Sequence, residues 1–270
     1  MKDNFTYLQR SSTIIYNFYS VIDYNILVCV GFLIAWSFID VWSMTKQDFD
    51  TPGTPYHVGQ CVAPPGPLPS SMCCGRAGKF LRLATTTQVP DHNTITFDRT
   101  DPGVFPHVIV DFDFRIMPVN GRADGLGFAL LNTAVPAHGT TGAVCPFNPP
   151  FAAEEPQFSQ SLGVGFDIYR NTELSPPDSS DNHVSIHFNG QLLQQFPFSK
   201  PVLDLAGNQD HWIHARIIMR PGHAVPDVSV ILTLAGGEPL TVVAHFPVPG
   251  LTPYEGRAWF GARSGGGGTA

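Results

Sequence analysis

Charge is scarce in this sequence, and basic charge is scarcer still. Only 14% of the 270 residues are charged, and 15 Lys and Arg stand against 22 Asp and Glu, a net charge of −7. So little basic charge cannot neutralise a phosphate backbone, which argues against nucleic acid as a partner. Long charged helices are disfavoured too, because 26 Gly, 25 Pro and 20 Phe suit short strands and turns. Catalytic signatures are missing: there is no G-x-S-x-G elbow, phosphate-binding loop or dinucleotide fingerprint. Cysteine is limited to five residues, and Cys73 and Cys74 are adjacent, unlike the spaced pairs of a zinc ribbon. Cys29 lies in an apolar run, while Cys61, Cys73, Cys74 and Cys145 could pair in an oxidising compartment, their connectivity open.

What is present falls into two parts. The stretch YNILVCVGFLIAWSFI from Tyr24 is apolar and uncharged, longer than most signal-peptide cores and shorter than a full bilayer span. No small-x-small cleavage site follows it, and Tyr24, Trp36 and Trp42 suit a membrane interface. The expectation is a signal-anchor or signal-like helix over about 24–42, within a segment 1–46 that lies outside the domain. A buried core helix is the alternative for the same run. Export to the cell surface or the extracellular space follows, with a membrane tether if the helix is retained.

From about residue 47 the texture becomes short alternating runs broken by Gly, Pro, Asn and Asp. In HVIVDFDFRIM, 107–117, Val108, Val110, Phe112, Phe114 and Ile116 share one face, and Asp111, Asp113 and Arg115 the other. Similar runs are KFLRLA, NTITFD, GLGFALL, LGVGFDIY, NHVSIHFN, WIHARIIM, VSVILTLA, LTVVAHF and RAWFGAR. About ten strands at this spacing predict an all-β domain over 47–270, two antiparallel sheets packed as a sandwich.

Several constellations could carry chemistry. His183 and His187 share a strand face but sit about 13 Å apart along it, too far to share one ion. Asp111 and Asp113 lie about 7 Å apart on one face, a separation that two-carboxylate sugar hydrolysis tolerates, without an E-x-D-x-x-E pattern around them. In GFDIYRN, Asp167, the carbonyl of Tyr169 and Asn171 emerge on one side as hard oxygen ligands. The loop returns with Asp178, and with Asp181 as an alternative, ahead of His183. Calcium, which takes six to eight oxygens, fits this chemistry; a solvated hairpin loop is the competing explanation.

The segment GFDIYRN…DSSDNHVSI resembles the metal-binding segment of the legume-type (L-type) lectins, in which a strand ends in Glu-x-Asp-x-aromatic-x-Asn and an Asp precedes a His by five residues. ADGLGFAL, 123–130, resembles the turn that family places before a hydrophobic strand, and GRAWFGARSGGGG resembles its late strand and glycine loop. Taken together over 47–270, these pieces are similar to bacterial-style secreted lectin-like sandwiches.

The resemblance implies a concanavalin A-like jelly roll that binds a glycan or glycoprotein without catalysis. It implies calcium held by Asp167, Tyr169, Asn171 and Asp178, with His183 beside them. Sugar would meet Asp124, Gly125, Asn171 and Gly266, with a cis peptide before Asp124. Phe147, Phe151 and Tyr169 are candidates to stack on the ring. The family's transition-metal site would lack its strand glutamate, since Gly165 stands there, leaving Asp167, Asp178 and His183 incomplete. The family also continues past the GGGGTA end into a closing strand, so a truncated C-terminus or an exposed sheet edge is expected. A structural or adhesive sandwich without a sugar site is the alternative, and a glycoside hydrolase the third reading.

Overall fold

Alternating apolar and polar residues suit two packed sheets, and the computed structural model forms strands on each of the ten runs quoted above. It describes residues 5–9, 54–59, 70–75, 78–85, 91–117, 122–146, 153–173, 176–206, 212–222 and 224–264. Within them lie β1 (Phe5–Gln9), β2 (Tyr56–Gly59), β3 (Ser70–Gly75), β4 (Gly78–Thr85), β5 (Asp91–Phe97), β6 (Val108–Ile116) and β7 (Gly125–Asn132). There follow β8 (Leu162–Asp167), β9 (His183–Phe188), β10 (Gln191–Pro197), β11 (Ile213–Arg220), β12 (Asp227–Leu234), β13 (Leu240–Pro247) and β14 (Gly256–Ser264). No helix occurs among the described residues.

The first sheet runs β13-β12-β11-β6-β1-β4-β3 and the second β10-β9-β8-β7-β14-β5-β2, each of seven strands. All pairings are antiparallel, and an all-β sandwich results. Phe5–Gln9 is an inner strand between β4 and β6, so this piece of the segment expected outside the domain belongs to the sheet. The apolar run at 24–42 and the boundary at 47 lie outside the described residues.

Phenylalanines join the layers. Phe112 of the first sheet meets Phe260 at 5.0 Å and Phe128 at 5.9 Å, and Phe114 meets Phe166 at 5.0 Å. Each such ring removes about 150–250 Å² from water. The middle of the second sheet differs from an ordinary sandwich face: β7 and β8 are buried along their whole length, not at alternate positions. Its outer side carries a second apolar cluster of Ala129, Leu131, Val144, Ala153, Phe158 and Trp259. The segment ahead of β8 therefore lies across the sheet like a strap, fixed by Phe158 edge-on to Trp259 at 4.9 Å.

On the outer face of the first sheet, the Asp111 and Asp113 pair is bound up in ion pairs. His214 places Nδ1 2.8 Å from Asp113 Oδ1 and Nε2 3.1 Å from Asp111 Oδ1, and Arg216 Nε donates to Asp111 Oδ1 at 2.7 Å. Burial alone would raise the Asp111 carboxyl, but its bonds to His214 and Arg216 win and hold it below its ordinary value. A glycosidase acid needs the opposite shift. The same bonds to Asp111 and Asp113 push His214 up from 6.5 to about 9. A proton held more tightly in the folded state stabilises fully below pH 6.5, and that contribution is lost as pH rises through about 9. His214→Gln should therefore flatten the decline in urea-unfolding stability across this window; an unchanged slope would refute the assignment.

Candidate metal centre

Pairing across β8 and β9 builds the centre. Asp167 lies opposite His183, Gly165 opposite Ser185 and Gly163 opposite His187. These six share the outer face, because Val164, Phe166, Val184 and Ile186 between them are in the core. The loop after β8 then turns back: Asn171 N donates to Asp178 Oδ2 at 2.6 Å and Tyr169 N to Asp167 Oδ1 at 2.6 Å. Asp167, Asp178 and His183 come together, with Asn171 bonded to Asp178 beside them. Asp181 does not; it is half exposed, bound to Lys200 and 3.9 Å from Arg122.

Gly165 does not leave the set short of a carboxylate. Glu155, Asp167, Asp178 and His183 each bring a ligand atom within 4.8 Å of the others, and all four are buried. The missing acid arrives from the strap. A Cβ on Gly165 would sit 2.2 Å from the Glu154 carbonyl oxygen, and one on Gly163 2.4 Å from that of Pro156. Both strand positions must therefore be bare for the strap backbone to lie flat, and Glu155 projects between them. A strand glutamate and this strap exclude each other sterically. Sequence reasoning missed Glu154 and Glu155; the signal available was AAEEPQF, an acidic pair before proline next to a strand with alternate glycines.

Buried polar atoms normally find partners. Among the described residues Asp167 Oδ2, Asn171 Oδ1 and His183 Nε2 find no hydrogen bond. His183 Nδ1 lies 2.9 Å from the Ser180 carbonyl, which can only accept, so in the neutral ring the Nε2 lone pair faces the carboxylates. Burial, with Glu154 and Glu155 alongside, pushes the Asp167 carboxyl up to about 10. Orphaned oxygens, an oriented imidazole, Asp167 and Asp178 carboxyls that burial lifts, and a Glu155 carboxyl that His187 and His183 hold ionised together fit a bound cation.

Asp124 stands beside this centre, after a cis Ala123–Asp124 peptide. Its Oδ2 is 2.8 Å from Arg263 Nε, and Arg263 Nη2 is 2.8 Å from Glu154 Oε1. Asn171 Nδ2 donates to Glu173 Oε1 at 3.0 Å. Gly125, the next residue, begins β7. Tyr169 is 38% exposed, open enough to stack on a ligand; Gly266, Phe147 and Phe151 lie outside the described residues.

No protein-family model matches the chain, and no curated protein matches it. Its structural neighbours are legume lectins. Peanut lectin with a nine-residue peptide superposes with a TM-score of 0.52 at 16% identity, over 81% of this chain and 93% of that one. The metal-free lectin I-B4 of Griffonia simplicifolia gives 0.48 at 14% identity over 79% and 86%, and the Bauhinia forficata lectin with GalNAc gives 0.45 at 13% over 78% and 86%. The likeness to peanut lectin establishes the fold and nothing finer.

Ordinary carboxylates, titrating near 4, release no protons on binding a cation at pH 7. Asp167, raised to about 10, must lose its proton to become a ligand. Adding Mn2+ at pH 7 should therefore release protons, and affinity should rise with pH. Calorimetry in two buffers of different ionisation enthalpy measures this, and equal heats in both would contradict it.

Proposed function

We propose that this domain binds carbohydrate without catalysis, in a calcium-dependent way, at the edge formed by Asp124, Gly125 and Asn171. The observation that carries this reading is the pair of orphaned buried oxygens, Asp167 Oδ2 and Asn171 Oδ1, next to Asp124 in a sandwich with the peanut lectin fold. Asp167, the Tyr169 carbonyl, Asn171 and Asp178 would hold the calcium, and His183 and Glu155 a second, transition-metal ion beside it. Calcium, when bound, supplies a fixed charge that orders the loop before ligand arrives, lowering the ordering cost of a shallow site.

The chain's own groups do the recognition. Asp124 accepts from a sugar hydroxyl while the Asn171 amide donates to its neighbour, satisfying both sides of one ring edge. Arg263 modifies this arrangement. Because its guanidinium already meets the Asp124 carboxylate, a ligand encounters an acceptor and a donor fork together. Glu173 takes one of the two Asn171 N–H donors, so a sugar hydroxyl competes with a carboxylate oxygen at this amide.

The partner is a glycan or glycoprotein at the cell surface or outside the cell. Cys145 is disulfide-bonded, which favours an oxidising compartment. A calcium-stabilised adhesive sandwich without a sugar site is the second reading, favoured by Asp124 being 2% exposed and engaged by Arg263.

A glycan-array screen with calcium, repeated in chelator, separates the two. Hits lost in chelator, and weakened about tenfold or more by Asp124→Ala at unchanged melting temperature, are expected for a sugar site. Calcium-dependent stabilisation without any hit would leave the adhesive sandwich. Glu173→Ala should tighten glycan binding severalfold by releasing the Asn171 amide; weaker binding would mean that Glu173 itself contacts ligand.

A further inference from the structure

His187 is 1% exposed and lies four residues beyond His183 on the same strand face, yet it is outside the cation-binding set. Its Nε2 is instead 2.6 Å from Glu155 Oε2 and 2.9 Å from Ser185 Oγ. Ser185 Oγ in turn donates to Glu155 Oε1 at 2.9 Å, and that same oxygen is 3.5 Å from His183 Nε2. The two carboxylate oxygens are thus distinguished. One is taken by His187, and the other is aimed along the strand at the ligand imidazole.

This matters because Glu155 comes from a strap, not from the strand that carries Asp167. A strand residue at 165 would be aligned by the same backbone as its neighbours, whereas a strap residue must be oriented by what it lies on. Of the residues under it, Gly163 and Gly165 have no side chains, so orientation falls to their cross-strand partners, His187 and Ser185.

We infer that His187 and Ser185 are positioning residues that hold the strap carboxylate of Glu155 in its metal-binding orientation, replacing in two parts the alignment a strand glutamate would have had. The inference rests on the cation-binding reading above. Partners of this kind change metal affinity by about 10–100-fold when removed.

The test titrates Mn2+ alone into the full chain and compares wild type with Glu155→Gln, His187→Leu, His187→Gln and Ser185→Ala. Melting in chelator is measured in parallel. Glu155→Gln and His187→Leu should bind about 10–100-fold more weakly. Ser185→Ala should shift the same way, and His187→Gln, which keeps a donor, should recover much of the loss. Melting in chelator should stay near wild type for Ser185→Ala and His187→Gln. If only Glu155→Gln weakens Mn2+, the ligand stands and the positioning role falls. If wild type takes up no Mn2+, the cation reading itself fails. Should His187→Leu not fold, Ser185→Ala still decides, because unchanged affinity there overturns the proposal.

Discussion

Negative charge placed where water cannot reach it governs one end of this sandwich. Glu154, Glu155, Asp167 and Asp178 are each 5% exposed or less, and three of them bring oxygens within 4.8 Å of one another. At an effective dielectric of 20, two unit charges at that distance repel by about 3 kcal/mol. A few such pairs rival the whole stability of a domain, about 5–15 kcal/mol. The cluster must therefore hold protons or cations, and the lift of the Asp167 carboxyl expresses that demand. Arg263 answers part of it for Glu154 and Asp124; the imidazoles of His183 and His187 flank Glu155.

The strap ties this charge to the packing. Burial of β7 and β8 on both faces makes the centre of the second sheet resemble the interior of a three-layered structure. Ala153 and Phe158 bring apolar area to the outer cluster, while Glu154 and Glu155 between them bring charge. Apolar burial favours docking of the strap, and the acids oppose it unless they are compensated. The two effects meet within two residues, so docking of the strap and compensation of its charge are linked.

Much of this was legible in the sequence. Period-two alternation is a local signal, and it marks β6, β11 and β12, whose inner faces fill the core. Asp167, Asn171, Asp178 and His183 were legible because a strand end and a hairpin return bring them together over a short length of chain. β1 was not, since FTYLQ gains its place only by pairing with β4 and β6, far along the chain. β10 was hidden by QLLQQFP, an edge strand whose side chains are partly or fully exposed. Glu155 failed for a different reason. Gly165 in the sequence reads as a ligand lost; only the close approach of the Glu154 backbone shows it as a space made.

That exchange changes the logic of the centre. A ligand carried on a strand is present whether or not a cation is, because the sheet holds it. A ligand carried on a strap is present only while the strap is docked; burial alone would raise the Glu155 carboxyl, but His187 and His183 outweigh it and hold the group down to about 2, so its own charge is compensated there. The charge left unrelieved is that of Asp167 on the strand end, which burial, with Glu154 and Glu155 alongside, lifts to about 10. A cation at the point on which Glu155, Asp167, Asp178 and His183 converge would relieve it. With Glu155 on the strap and Gly165 bare on β8, the covering of the second sheet and the loop after β8 therefore close on one buried cluster.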